Sequence, residues 1–217
     1  MRIGLRLTLI LLLCCVSLIG RAEWTGVAFE ISDVDFDWEF REGVRTAKSN
    51  SLRLSFEEST ESGLAVGGAL GYIDGRIAGT ETSGSTKFDA ENLLVYLRQD
   101  GRIGDSVDLY GLFSYGYYNG RESGGDDPAD VEWSETTVEL GLGFRVNDIG
   151  LTPFVKYSDV DGDISGSDLN RDLSFELEEP LNYGLDINVY TDSTAYIGLR
   201  LQTGSQSGGY LSFVRRY

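Results

Sequence analysis

The chain of 217 residues contains no histidine. Hydrolysis of the Ser–His–acid kind needs an imidazole near neutral pKa as general base, so that chemistry is excluded. The only cysteines, Cys14 and Cys15, stand close to the N-terminus. Beyond them the chain has neither imidazole nor thiolate, the donors on which zinc and iron sites usually rely. The lysines are Lys48, Lys87 and Lys156, and only Lys156 falls in a strand-like segment. A Ser–Lys dyad therefore has few placed bases to draw on. Carboxylates remain. Asp159, Asp161 and Asp163 alternate in one segment, followed by Ser165, Ser167 and Asp168; Glu122, Asp126, Asp127, Asp130 and Glu132 form a second group. Alternate carboxylates in a loop can gather oxygen ligands for calcium, which makes Asp159, Asp161 and Asp163 a metal candidate. The spacing departs from an EF-hand: with Gly162 at the turn position, Tyr157 stands where the first Asp belongs. A solvated acidic loop explains both groups without a metal. The expectation is a protein that is not an enzyme and holds no cofactor.

The ends of the chain say where it goes. Arg2 and Arg6 precede an apolar run from Leu7 to Ile19, and Gly20 and Ala22 stand at −3 and −1 before Glu23. That pattern is a secretory signal over residues 1–22. The run is shorter than the ~20 residues a membrane helix needs. Neither cysteine has the small preceding residue that lipoprotein processing requires. Cleavage removes three of the 18 basic residues and none of the 35 acidic ones, so the formal charge moves from −17 to −20. Such a surface repels nucleic acid, which is excluded as a partner. Residues 23–217 are enough for one domain.

Period-two alternation runs through that domain and predicts strands. Val138, Leu140, Leu142, Phe144 and Val146 oppose Thr137, Glu139, Gly141, Gly143 and Arg145. Tyr183, Leu185, Ile187 and Val189 oppose Gly184, Asp186, Asn188 and Tyr190. Ten such segments are legible, or eight if two of them are loops. Short turns fall near 59–62, 101–106, 147–150 and 191–194. Longer polar connections fall near 39–48, 75–89, 119–132 and 159–180, while the last, near 204–208, is short again. Short turns at one end and long loops at the other suit an antiparallel, up-and-down transmembrane barrel with both termini in the periplasm. Residues 33–40 alternate one step out of phase with Val27, Phe29 and Ile31, which reads as a bulge followed by a strand extension beyond the membrane.

The polar face separates a membrane barrel from a soluble periplasmic ligand-binding barrel. It is crowded with Gly, Ala and Ser, which suit the narrow inside of a small barrel better than a solvated face. Isolated charges interrupt it: Arg53, Glu139, Arg145, Lys156, Asp186 and Arg200. Paired, they would plug the lumen; unpaired, they would line a narrow path for ions or small solutes. The plug is the favoured reading, because a ten-stranded barrel leaves little bore once its side chains are packed. Trp24, Tyr72, Tyr117, Trp133, Tyr157, Tyr183 and Tyr190 are placed near strand ends, where an interfacial girdle would lie.

The final segment carries Leu211 and Phe213 in one phase and ends on Tyr217. With the strand pattern, this ending resembles the small bacterial outer-membrane barrels, the OmpA/OmpX-like group. In that family the assembly machinery reads an aromatic last residue preceded by apolar residues at every second position. The resemblance assigns that signal to Leu211, Phe213 and Tyr217, with Arg215 as the departure. It implies a monomer in the outer membrane of a Gram-negative envelope, in contact with lipid and lipopolysaccharide. The expected role is structural or interactive, through acidic extracellular loops.

Overall fold

The computed structural model describes residues 22–79, 85–103, 107–123, 128–166 and 173–217. The expected signal segment lies, except for Ala22, outside them. Eleven strands are described: β1 (Ala22–Phe40), β2 (Gly43–Thr60), β3 (Leu64–Ile77), β4 (Thr86–Ile103), β5 (Val107–Glu122), β6 (Asp130–Val146), β7 (Ile149–Ser165), β8 (Leu173–Leu177), β9 (Leu181–Tyr190), β10 (Ala195–Gly204) and β11 (Gln206–Arg216). Every pairing is antiparallel. Strands β1 to β7 pair in chain order, β9, β10 and β11 follow β7, and β11 closes on β1 from Gly26↔Arg216 to Phe36↔Gln206. That ring has ten strands. Strand β8 sits above β9–β11 and joins Asp161–Ile164 of β7 to Trp38–Phe40 of β1. The wall therefore has ten strands through its lower part and eight at its upper end. The expected ten strands form the ring; none of them is a loop, and the eight-strand upper end comes from the additional strand β8.

Strand length explains this arrangement. Strands β9, β10 and β11 have 10, 10 and 11 residues, the ~9–11 that a tilted strand needs to cross hydrocarbon. Strands β1 to β7 run from 14 to 19 residues, and their surplus stands beyond the bilayer. Over the low side of the wall, β8 supplies the missing height. The segment after it is tied down: Ser205, at the tip between β10 and β11, accepts the Glu179 amide on its Oγ at 2.7 Å and the Asp37 amide on its carbonyl at 2.7 Å. The short connection near 204–208 is thus a wall that stops at the membrane and is built over.

Each long strand exchanges the character of its faces as it leaves the hydrocarbon. In β1, Val27, Phe29 and Ile31 face outward, and Asp33, Asp35, Asp37 and Glu39 continue that same face. Inside, Ala28, Glu30 and Ser32 give way to Val34, Phe36, Trp38 and Phe40. The expected bulge is absent: β1 stays in unbroken register with β2 from Trp24↔Ser59 to Phe40↔Gly43. The phase of the apolar residues changes because the environments change, with lipid outside and a polar lumen below, water outside and an apolar core above. Strand β7 does the same, passing from Val155 and Tyr157 to Asp159, Asp161 and Asp163 outside, and from Lys156 and Ser158 to Val160 and Ile164 inside. This corrects the long loops as well. Much of 39–48, 75–89, 119–132 and 159–180 is strand, and its polar residues are the outer face of a wall standing in water.

The apolar belt faces out. Leu140 is 54% exposed, and Leu142, Leu199 and Leu70 share that face, which excludes a soluble barrel with a greasy interior. Inside, glycines are partnered with rings. Gly67, Gly75, Gly141, Gly162 and Gly184 stand directly opposite Tyr96, Phe88, Tyr110, Phe175 and Phe154 on the neighbouring strand. A Cβ on any of them would fall inside the van der Waals radius of its partner's ring. These glycines are the floors on which the lumen aromatics lie. Gly162→Ala should therefore push Phe175 off its seat and cost about 1–3 kcal/mol of overpacking. Urea unfolding of the barrel in micelles measures it, and a neutral Gly162→Ala would refute the packing.

Candidate functional site

Among the described residues the lumen is the interior available for chemistry or transport, and it is built in layers. At the end of the short turns and the chain termini, the end expected to face the periplasm, a vestibule of about 700 Å³ lies among Arg98, Arg102, Tyr110, Arg145 and Tyr190. Ion pairs of 2.9 Å between Arg98 and Asp100 and 3.2 Å between Arg102 and Asp108 line its wall.

Above it lies a belt of charge. Arg200 on β10 donates from Nε and Nη2 to Asp186 on β9, at 2.7 and 2.8 Å. It also reaches past β9 and β7 to Glu139 on β6, from Nη1 at 3.0 Å and Nη2 at 2.8 Å. The Tyr110 hydroxyl donates to Glu139 at 2.5 Å, and the Phe154 ring lies 4.3 Å from the guanidinium carbon. Glu139 is 2% exposed, so its charge is held by these donors and not by water. Beside this group, Lys156 donates to Gln206 Oε1, and Gln206 Nε2 donates to Glu135 at 2.9 Å. Arg53 pairs with Glu30 across β1 and β2 at 3.3 Å. A charge buried without partners is costly, and cross-lumen pairing removes that cost.

A smaller cavity of about 230 Å³ follows, lined by Ser32, Ser49, Ser51, Arg53 and Ser114. The upper end is then closed by an aromatic core. Trp38 stacks on Phe175 at 4.2 Å and meets Trp133 edge-on at 5.6 Å; Phe88 meets Trp133 at 5.9 Å. Val131, Ile77 and Ile164 fill around them. Tyr118 joins the two regions, its ring 4.5 Å from Trp133 and its hydroxyl donating to Glu135 at 3.2 Å. A continuous aqueous path would wet the side chains along it. Trp38, Phe88 and Phe175 are each 1% exposed.

Of the charges singled out in the sequence, Arg53, Glu139, Lys156, Asp186 and Arg200 come together in the belt. Arg145 does not. It sits at the rim of the short-turn end, 4.0 Å over Tyr190, and donates to the Asn147 carbonyl at 3.1 Å. The expected girdle also divides. Tyr72, Tyr117, Tyr157 and Tyr183 face outward, whereas Trp133 belongs to the aromatic core and Trp24 and Tyr190 stack on arginines. Glu30, Glu135, Gln206 and the aromatic core were missed. The signal was in the sequence: Val131, Trp133 and Glu135 share the phase of Thr137 and Glu139. Asp159, Asp161 and Asp163 lie on strand and not in a loop, about 7 Å apart along one face. Among the described residues no group of three or more carboxylates is placed to hold a metal ion. Phe213 faces outward on β11 and Leu211, paired with Ile31, shares its phase, while Tyr217 exchanges backbone hydrogen bonds with Thr25 at 2.7 and 3.1 Å.

One polar cluster lies outside the membrane-spanning part. Asp89 on β4 accepts the Ser123 hydroxyl and the Tyr72 hydroxyl, each at 2.5 Å, and so ties β3 and β4 to the residue that follows β5. The Ser123 bond, and then the Tyr72 bond, hold its carboxyl below the usual carboxylate range. A lowered value means the clip is complete above the ordinary carboxyl pKa and is lost as pH falls through the lowered one. A carbon-detected NMR titration should place Asp89 below the ordinary ~3.9, and Ser123→Ala should raise it. An Asp89 midpoint that ignores Ser123→Ala would contradict this.

A closed, antiparallel ten-strand ring with an apolar outer belt and a polar filled lumen defines an outer-membrane-type β-barrel. No protein-family model matches the sequence, and no curated protein matches it. Solved structures do. The translocator domain of the autotransporter NalP from Neisseria meningitidis is 19% identical, with 99% of this chain and 94% of that one covered and a TM-score of 0.52. The β domain of the Bordetella autotransporter BrkA is 14% identical over 88% of this chain and 98% of that one, also at 0.52. The likeness is one of fold alone.

Proposed function

We propose that this protein is a non-enzymatic barrel of the bacterial outer membrane, sealed against the outside and acting through its exterior. The aromatic core across the upper lumen carries this reading, since a barrel built to conduct would keep that level wet. The absence of histidine from the whole chain and the commitment of the lumen charges to one another support a role without catalysis. The outward belt supports insertion among lipid and lipopolysaccharide. The aromatic ending supports delivery by the barrel assembly machinery, with Leu211, Phe213 and Tyr217 as the signal. Among the described residues the closed ring leaves no strand edge to pair with a second copy, which supports a monomer. Outside the membrane, Glu132 faces Asp163 and Asp161 faces Glu176 directly across neighbouring strands. This acidic wall is the surface offered to partners.

Reconstituted into a planar bilayer, the wild-type barrel should give no steady conductance. Steady open-channel current from the folded protein would replace this reading by a narrow channel. A band in the outer-membrane fraction that migrates differently after heating should accompany the silent recordings.

A further inference from the structure

The periplasmic vestibule holds two arginines that the charge belt does not use. The carboxylates lining it are all in ion pairs: Asp100 with Arg98, Asp108 with Arg102, Glu139 and Asp186 with Arg200, and Glu30 with Arg53. Arg145 and Arg216 line it too, and neither has a carboxylate in salt-bridge contact among the described residues. Aromatic faces hold both. Arg145 lies 4.0 Å over Tyr190, and Arg216 lies 4.2 Å over Trp24 and 5.9 Å from Tyr196. The Tyr190 and Tyr196 rings are themselves 5.4 Å apart. The two rings are tilted by 51° to one another, with Arg145 over Tyr190 and Arg216 beside Tyr196.

A guanidinium fixed by its face keeps its N–H edge for a planar acceptor. Arg145 commits Nε to the Asn147 carbonyl, while the buried Nε of Arg216 has no partner. Glu57 on β2 makes no salt-bridge contact with Arg216. In a chain of formal charge −17, this concave site carries two cations that, among the described residues, stand outside any ion pair, beside a pair of tyrosine rings. Its volume of about 700 Å³ falls within the roughly 300–1,000 Å³ of small-molecule sites.

We propose that the vestibule binds a small organic anion from the periplasm, a carboxylate or phosphate ester on a planar ring. Arg145 and Arg216 grip its charged group, and the Tyr190–Tyr196 pair receives its ring. Entry is from the periplasm, because the aromatic core closes the other end.

Calorimetric titration of the full mature barrel in micelles tests this with three probes: benzoate, phenyl phosphate and inorganic phosphate. Saturable binding of benzoate or phenyl phosphate is expected, with inorganic phosphate weaker. Arg145→Gln/Arg216→Gln should weaken the better probe by about tenfold or more. Arg102→Gln, at an ion pair on the rim, should change it less than about twofold. Arg145→Gln alone, remote from the closing strand, carries the test if the double variant does not refold, and should weaken binding at least about threefold. The preferred probe separates a carboxylate ligand from a phosphate one. Failure of both ring-bearing probes to saturate, or equal binding by wild type and the arginine variants, overturns the proposal. Inorganic phosphate binding as tightly as phenyl phosphate overturns the role of the tyrosine platform.

Discussion

Replacing Trp38 by alanine should both destabilise the barrel and unseal it. Trp38 is 1% exposed and touches four rings, with Phe175 at 4.2 Å, Trp133 at 5.6 Å, Phe36 at 6.1 Å and Phe88 at 6.2 Å. Truncating a buried tryptophan costs about 3–5 kcal/mol, since the cavity left behind closes only in part. The loss falls on β8 most heavily. That strand is five residues long and touches β1 over only three register pairs, one of them Trp38↔Leu177. Without the stack on Phe175, little but these pairs and the short ladder to β7 holds it over the low side of the wall. Two measurements follow: the urea midpoint of the folded band should fall, and bilayer recordings should change from silent to intermittently conducting. A Trp38→Ala barrel as silent and as stable as wild type would remove the aromatic core from its assigned role. Trp38→Phe, which keeps a ring in place, should recover most of both properties.

Replacing Glu139 by alanine should cost a similar amount but leave the barrel closed. Glu139 receives two bonds from Arg200 and one from Tyr110. Removing it leaves Arg200 with Asp186 alone and strands the Tyr110 hydroxyl. Breaking one member of a buried ionic group typically costs about 3–5 kcal/mol. Arg200 is 29% exposed to the water of the lumen, which places the expected loss nearer the lower figure. Glu139→Gln keeps an acceptor and should lose less. Conductance separates the two layers: the charge belt lies below the aromatic core, so Glu139→Ala should remain silent where Trp38→Ala conducts. If Glu139→Ala alone opens a steady current, the belt and not the core is the seal.

The two variants probe regions that were unequally legible. The belt was half visible. Arg53, Glu139, Lys156, Asp186 and Arg200 break the polar face of strands whose alternation is plain, so they could be placed inside together. Which of them pair could not be read, because a pair such as Glu139 and Arg200 joins strands separated by two others. Arg145 shares the same phase but stands at the last turn of the wall, where a tyrosine face and solvent replace a carboxylate. The aromatic core was hidden for a different reason. Val34, Phe36, Trp38 and Phe40 are legible as a strand, but by sequence alone their phase reads as a bulge in β1. Period two reports which residues share a face. It does not report which side of that face is wet.

The sequence by itself determined the strand segments, the outward greasy belt and the polar lumen, because alternate residues on a strand must point to opposite sides. It determined that imidazole chemistry is absent, because composition needs no fold. Only the tertiary structure decided the height at which lipid gives way to water, and so which face becomes core. It also decided that β8 completes an eight-strand upper wall over a ten-strand base. Both depend on strands far apart in the chain arriving at the same level, and no local pattern encodes that meeting.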